Sequence, residues 1–217
     1  MQFLIFIATA SAALCSAAFG APPPDNWVSP WYCHGLDCPP FTNITVDGGI
    51  QVRTYKDLLW VSTEVMETNI NRAGSIGFDR LFAYISGENV AGIPIDMTAP
   101  VLNKVIPGAG PNCNSTFIVS FFTPYDYQTA AGPPAPTSPE VYIQTIPPLY
   151  VAVSEFSGYA SNDEIIARTA ALEKEISTSS DITLDSNAGD SWYFASYDPP
   201  FRVSNRHNEV WVPVVNK

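Results

Sequence analysis

The sequence contains few charged residues, and positively charged ones are especially scarce. Its 217 residues include 10 Lys and Arg against 21 Asp and Glu, which gives a formal net charge of −11 at pH 7. No two Lys or Arg residues are adjacent. Because nucleic acids and anionic membranes attract clustered positive charge, both are poor partners for this chain. The hydrophobic content of 46% argues against extensive disorder, and the length suits one domain with its own core.

Long apolar runs are missing except near the N-terminus. The stretch from Gln2 to Leu14 is apolar but too short to span a bilayer comfortably. Small residues follow it, and Ala18-Phe19-Gly20 suits cleavage before Ala21. We therefore interpret residues 1–20 as a signal peptide, with an uncleaved anchor as the alternative, and we expect a secreted, extracellular protein.

Two glycosylation sequons agree with a secretory route. One begins at Asn43 and reads Asn-Ile-Thr, the other begins at Asn114 and reads Asn-Ser-Thr, and neither has Pro in the middle. Glycosylation at these positions requires that both asparagines lie on the surface.

Cysteine is scarce, with four in the whole chain. Cys15 lies in the predicted signal peptide, so the mature chain keeps Cys33, Cys38 and Cys113. In an oxidising compartment Cys33 can pair with Cys38 across a short loop, and a bridge from either of them to Cys113 is the competing arrangement. The spacing differs from the Cys-x2-Cys of zinc sites, so we predict no metal site.

Catalytic motifs are also missing from the sequence. It contains no Walker loop, dinucleotide fingerprint, His-Glu-x-x-His or Gly-x-Ser-x-Gly motif. The triad residue types Ser204, His207 and Glu209 occur close together, but catalytic triads are assembled from separated segments. We therefore predict a binding protein and not an enzyme.

Strand-like patterns recur along most of the chain. Residues 49–65 alternate between apolar and polar side chains and are predicted to bury one face. Further strand-like stretches lie at 93–108, 115–125, 141–146, 149–159, 191–198 and 208–215. Residues 21–40 are rich in Pro and aromatic residues and are predicted to form a loop held by the cysteines.

Two helices are predicted between these strands. The first covers residues 76–86, where apolar side chains recur at the spacing of one helix face, at Phe78, Leu81, Phe82 and Ile85. The second covers residues 161–177, which begin with N-capping residue types and have acidic side chains in the first turn. The order of strands, helix, strands, helix and strands predicts a mostly antiparallel α+β fold in one domain.

Motifs spread over the mature chain resemble a known family. Between Ile50 and Val214 the chain carries, in this order, RLFAYISGEN, IPIDMTAPV, FSGYA and YDPPFRVSNRHNEVW. Together they resemble the SOUL heme-binding protein family, in its secreted branch. The resemblance implies a distorted antiparallel β-barrel flanked by two α-helices, formed by residues 49–217 after a Pro- and Cys-rich segment at 21–48. It also implies that heme or another tetrapyrrole binds reversibly in a shallow apolar groove beside the first helix, and the lack of a Cys-x-x-Cys-His motif argues against covalent attachment.

The resemblance places two aromatic residues in the groove. In the family the outward apolar positions of the first helix line it, and here these are Phe78 and Phe82, whereas Leu81 and Ile85 are expected to face the sheet. An aromatic stripe at helical spacing is more often part of a core. The groove assignment therefore depends on the resemblance and not on the spacing.

Arg or Lys at the rim of such a groove would pair favourably with the two heme propionates. The resemblance implies this role for Arg202, with Arg206 close to it in the C-terminal loop. The helix position beside Phe82, which is basic in family members that bind without an iron ligand, is Ala83 here. The alternatives are an ordinary solvated loop for both arginines, or an Arg paired with Glu209.

Histidine is represented by only two residues. Some relatives carry an axial His before the Tyr of the first strand, and Thr54 occupies that position here. His207 is the candidate axial ligand because its loop borders the groove, and heme bound without any axial protein ligand is the other option. Met97 has a soft thioether, but we expect it to be structural, as we do Tyr55.

A second function is compatible with the same residues. The chain can be an extracellular protein-interaction module that reuses the fold with little or no heme affinity, and Thr54 and Ala83 favour this reading. The pair Phe78 and Phe82, together with Arg202, favours a secreted heme carrier or scavenger. We predict the latter function.

Overall fold

The computed structural model of the protein describes Pro23, residues 27–110 and residues 113–217. The predicted signal peptide, residues 1–20, lies outside these ranges. Within them no helix is long and apolar enough to cross a membrane.

The described part of the chain contains ten strands and two α-helices. The strands are β1 (Phe41–Thr45), β2 (Gln51–Tyr55), β3 (Leu58–Glu67), β4 (Val101–Ile106), β5 (Ser115–Phe122), β6 (Val141–Ile146), β7 (Leu149–Phe156), β8 (Ile182–Leu184), β9 (Trp192–Ser196) and β10 (Asn208–Asn216). The helices are α1 (Ile70–Ile85) and α2 (Asn162–Thr178).

All strands join one antiparallel sheet. Its order is β1-β2-β7-β10-β9-β4-β5-β3-β6, and β8 pairs with the end of β10. The path begins at β1 and ends at β6, so the sheet curls into an open, distorted barrel and does not close. The predicted α+β fold, an antiparallel sheet with two helices, is confirmed.

The sheet is covered on both faces, which corrects one expectation from the sequence. Along β3, Val61 and Val65 belong to one buried cluster, whereas Leu58 and Trp60 belong to another. Successive side chains of a strand point to opposite faces, so the two clusters lie on opposite sides of the sheet. The helices contribute to the first cluster and the N-terminal segment contributes to the second, so β3 buries both faces and not one.

Helix α1 begins six residues earlier than the sequence pattern predicts. Asn69 is its N-cap, with the side-chain oxygen accepting hydrogen bonds from the N–H groups of Asn71 and Arg72. Glycines in the first half of the helix masked it in the sequence, since Gly is a poor helix former. A Cβ on Gly77 would lie 2.4 Å from the side chain of Val119, so this glycine allows α1 to approach β5 closely.

Helix α2 follows the prediction. Ser161 is the N-cap and accepts a hydrogen bond from the N–H of Glu164, while Asp163 and Glu164 lie in the first turn. Its apolar face packs against β7, β8 and β10. The sequence missed β1, which lies in the segment expected to precede the domain, and β8, which has three residues.

Candidate functional site

A cleft of about 830 Å³ opens beside α1, within the size range of ligand sites. One part of its lining is the side of α1 from Ile70 to Phe82, and another is the loop after β9 at residues 197–201. Residues 97–103 and Leu36 also contribute. We call this feature the α1 cleft.

The two aromatic residues singled out in the sequence both line the α1 cleft. Phe78 and Phe82 stack with their ring centroids 5.7 Å apart and their planes 12° from parallel. Phe82 is 50% exposed, whereas Phe78 is half-buried and packs edge-on against Phe121. Leu81 and Ile85 are buried toward the sheet. The helix therefore presents a flat aromatic surface to the cleft and a largely aliphatic one to the core.

Two further aromatic residues in the lining of the α1 cleft are exposed, and the sequence analysis did not find them. Phe201 lies in the loop after β9 and is 84% exposed, and Tyr159 follows β7. The hydroxyl of Tyr159 donates a hydrogen bond to the carbonyl of Pro200 at 3.0 Å. This contact joins the two loops that carry the aromatic residues.

Arg206 lines the α1 cleft, but its guanidinium serves the protein itself. It is buried and donates hydrogen bonds to the carbonyl oxygens of Pro199, Arg202 and Asp198 at 2.7, 2.9 and 3.1 Å. Its guanidinium carbon also lies 4.5 Å from the ring centroid of Tyr159. Arg206 is therefore neither a solvated loop residue nor the partner of Glu209, but a brace for the loop after β9.

Arg202 is not part of the cleft lining, which differs from the position expected for it. Its Nη1 lies 3.1 Å from Nδ1 of His34, and its Nε lies 3.3 Å from Oδ1 of Asp198. The same carboxylate oxygen lies 2.9 Å from Nε2 of His34. Arg202 thus points toward the disulfide loop, where it shares Asp198 with His34.

His207 is also buried away from the lining of the α1 cleft. Its ring is parallel to that of Tyr32 at 3.8 Å, and its Nε2 lies 2.7 Å from Oε1 of Glu209. Among the residues weighed as iron ligands, only Met97 lines the cleft, because Tyr55 is buried elsewhere.

A buried charge network occupies the face of the sheet opposite the helices, and no local sequence pattern indicated it. Arg53 is 1% exposed and donates from Nη1 to both carboxylate oxygens of Glu209, at 2.9 and 3.0 Å. Its Nη2 donates to Glu155 at 2.6 Å. Tyr197 and Trp211 also donate to Glu209, which is completely buried.

The network keeps Glu209 ionised. Burial alone would raise the pKa of its carboxyl, but the hydrogen bond from His207 and the charge of Arg53 outweigh burial, so the pKa of Glu209 lies below its ordinary value. Ligand-type atoms of Glu155, His207 and Glu209 lie within 4.8 Å of one another. Arg53 pairs with both carboxylates, so the positive charge in this cluster comes from its guanidinium.

The N-terminal disulfide loop is fastened to the walls of the α1 cleft. Cys33 and Cys38 are bonded, as in the first of the two pairings considered, and Cys113 is exposed and has no disulfide partner among the described residues. The carbonyl of Asp37 accepts a hydrogen bond from the N–H of Ala99 at 3.0 Å, and Ala99 lines the cleft. The bond of His34 to Asp198 makes a second attachment.

The two glycosylation candidates lie on the surface, whereas the triad residue types are split between surface and interior. Asn43 on β1 and Asn114 before β5 are both exposed, and their glycosylation remains a prediction. Ser204 is exposed, whereas His207 and Glu209 are buried. The three triad residue types are therefore not brought to one open site.

The family model and the relatives that match this chain are all described as heme-binding proteins. A family model described as SOUL heme-binding protein matches residues 36–213. Heme-binding protein 2 of Homo sapiens is 34% identical over 170 residues, which cover 76% of this chain and 78% of that protein. Heme-binding protein 1 of Mus musculus is 29% identical over 153 residues, covering 70% of this chain and 77% of that protein.

A solved structure supports the fold independently. The C-terminal domain of EcmrR superposes with a TM-score of 0.56 at 10% identity, covering 82% of this chain and 99% of that domain. At this identity the likeness concerns the fold alone.

Proposed function

Since the chain belongs to the SOUL heme-binding protein family, we propose that it binds heme, non-covalently and reversibly, in the α1 cleft. We further propose that it does so as a secreted carrier or scavenger. The signal-peptide pattern at residues 1–20 and the Cys33–Cys38 disulfide support an extracellular setting.

The stacked pair on α1 is the observation that carries this proposal. A porphyrin is a broad flat apolar disc, and aromatic side chains provide large flat contact areas. Phe78 and Phe82 present nearly parallel rings to a cleft of about 830 Å³, so the apolar wall fits the macrocycle. Met97, Val101 and Phe201 add apolar side chains to the lining.

The rim of the cleft fits the propionates less well than the wall fits the ring. Arg206 is the one Arg or Lys in the described lining. Three of its N–H groups already bond to carbonyl oxygens, and its Nε, which has no partner, is buried. We therefore expect the propionates to remain hydrated outside the cleft. When bound, heme would supply a redox-active iron. The chain would supply an apolar surface for the ring, and His207 would not ligate the iron because it lies outside the lining.

A hemin titration of the secreted protein tests the proposal. We expect a saturable Soret change at one equivalent in the wild type and its loss in Phe78→Ala/Phe82→Ala, because both rings are removed from the wall. The matched control is Met66→Ala/Tyr142→Ala, which removes two exposed apolar side chains outside the cleft and is expected to bind normally. Circular dichroism of each variant checks that it is folded.

Two results would contradict the proposal. One is a response of the folded wild type that never saturates and matches free hemin, which would favour the protein-interaction alternative. The other is unimpaired binding by the folded Phe78→Ala/Phe82→Ala variant, which would place heme outside the α1 cleft.

A further inference from the structure

The lining of the α1 cleft contains a buried hydrogen-bond acceptor without a partner. Asn103 lies on β4, is 3% exposed and forms part of the lining. Its Oδ1 accepts no hydrogen bond from any described residue. Buried polar atoms are nearly always paired, and leaving one unpaired costs stability. The position of this oxygen in a ligand-sized cleft suits a ligand that donates a hydrogen bond.

Helix α1 has no side chain at the position that faces this oxygen. That position is Gly74, which also lines the cleft. A Cβ added to Gly74 would lie 3.4 Å from Oδ1 of Asn103, which is ordinary van der Waals contact. Glycine therefore leaves space beside the oxygen that any other residue type would fill.

The charged groups of the lining do not distinguish between ligands that carry the same carboxylates. Arg206 is buried with no described carboxylate within 4.0 Å, and its Nε has no partner. Asp79 is exposed, and Asp198 is engaged by His34 and Arg202. Heme and the linear tetrapyrroles of the bile-pigment type both carry two propionates, so these groups act on both alike. The two ligand classes differ in the hydrogen bonding of their ring nitrogens.

Heme cannot supply the hydrogen bond that Asn103 lacks. Its four ring nitrogens bind iron and carry no hydrogen, and its ionised propionates only accept hydrogen bonds. A linear tetrapyrrole without a metal keeps pyrrole and lactam N–H groups. Its rings can contact the same aromatic wall, formed by Phe78 and Phe82.

We infer that the α1 cleft takes metal-free linear tetrapyrroles, with Oδ1 of Asn103 accepting a hydrogen bond from a pyrrole or lactam N–H. The inference rests on the proposed function for the location of the site and adds a ligand class to it. Asn103 is thereby the residue that distinguishes such a ligand from heme. A hydrogen bond to an otherwise unpaired buried acceptor is worth about tenfold in affinity.

Biliverdin and hemin are the two probes that test this inference. Biliverdin is a metal-free linear tetrapyrrole with two propionates, so the carboxylates of the two probes match. Absorption titrations of the full-length secreted protein are expected to show one biliverdin per chain, bound in competition with hemin. Phe78→Ala/Phe82→Ala is expected to abolish binding of both, because both contact the same wall.

Asn103→Leu separates the two ligands. It keeps the approximate side-chain volume and removes the acceptor, so biliverdin affinity is expected to fall about tenfold while hemin affinity changes less than about twofold. The melting temperature is expected not to fall, because a buried unpaired oxygen is lost. Asn187→Leu makes the same substitution on the surface outside the cleft and is expected to alter neither affinity.

Gly74→Ala tests the same contact without changing Asn103. The added methyl group fills the space beside Oδ1, so biliverdin affinity is expected to fall about threefold more than hemin affinity. Alanine is the better helix former, so α1 stays folded and a loss of binding is not a loss of the helix.

The outcomes distinguish this inference from the proposed function. Equal biliverdin affinity in the wild type and Asn103→Leu, or biliverdin binding that survives Phe78→Ala/Phe82→Ala, overturns the inference even if hemin binds in the cleft. An equal loss of both ligands in Asn103→Leu also overturns it, because Asn103 would then serve the shape of the cleft. Biliverdin bound with the expected dependence on Asn103, without any hemin binding, supports the inference and removes heme as the ligand. Binding of neither probe overturns both the inference and the proposed function.

Discussion

Arg53 is a buried charged residue whose charge is compensated within the sheet. Its guanidinium is nearly inaccessible to water and is shared between Glu209, which is buried, and Glu155, which is partly exposed. A phenylalanine ring, that of Phe41, lies 4.3 Å from its guanidinium carbon. Buried charges of this kind are tolerated only when their partners are in place.

Removing Arg53 is therefore expected to destabilise the fold strongly. In Arg53→Met the carboxylate of Glu209 remains buried without its cation, and we expect a loss of about 3–5 kcal/mol in the free energy of unfolding. Urea denaturation followed by fluorescence measures this loss. Arg72→Met is the matched control, because Arg72 pairs with Glu67 while its side chain is 73% exposed, and it is expected to cost under about 1 kcal/mol. Equal effects of the two substitutions would contradict the structural role of the network.

The surroundings of some residues were predictable from the sequence, and those of others were not. The division of α1 into Phe78 and Phe82 on one side and Leu81 and Ile85 on the other follows from the helical period combined with the family resemblance. The burial of Arg53 does not follow from any local pattern, because its partners lie 102 and 156 residues away in the chain. The same holds for Arg206, whose guanidinium bonds to carbonyls that only the folded loop brings together.

Helix α1 is the element on which the site depends, and its two central glycines have different surroundings. A Cβ on Gly77 would meet the side chain of Val119 at 2.4 Å, whereas a Cβ on Gly74 would lie 3.4 Å from Oδ1 of Asn103. The first glycine is therefore required by packing, and the second is not. Both glycines are poor helix formers, which is why the sequence pattern placed the start of the helix too late.

The two Gly→Ala substitutions are expected to change stability in opposite directions. Gly74→Ala gains up to about 1 kcal/mol from helix propensity. Gly77→Ala forces α1 away from β5, and overpacking of this kind costs about 1–3 kcal/mol. Thermal unfolding of both variants, with the free energies compared at one temperature, measures the difference. A stabilised Gly77→Ala protein would show that α1 does not approach β5 as closely as described.

At the scale of the whole molecule, the α1 cleft is assembled from separated parts of the chain. Helix α1, residues 97–103, the loop after β9 and Leu36 of the disulfide loop all contribute to its lining. The disulfide loop reaches two of these parts through Ala99 and Asp198. The α+β class was predictable from the order of elements, but the cleft was not, because it depends on how distant loops meet.

Opening the disulfide is expected to affect both stability and binding. Cys33→Ser/Cys38→Ser removes the crosslink of a short loop, which should cost about 2 kcal/mol in the free energy of unfolding. Because the loop holds two parts of the lining, hemin affinity is expected to fall as well. Cys113→Ser is the control, since Cys113 is exposed and has no disulfide partner among the described residues. Unchanged hemin affinity in the double variant would show that the loop does not support the cleft.

The location of bound heme is the central claim, and paramagnetic broadening of backbone amide NMR signals tests it most directly. Spectra with ferric hemin are compared with spectra containing the diamagnetic gallium analogue at the same occupancy. We predict selective broadening in residues 70–82, 97–103 and 197–203, with the amides in the C-terminal half of α2, residues 171–178, unaffected. Broadening centred on α2, or none beyond that of free hemin, would contradict the assignment of the α1 cleft as the heme site.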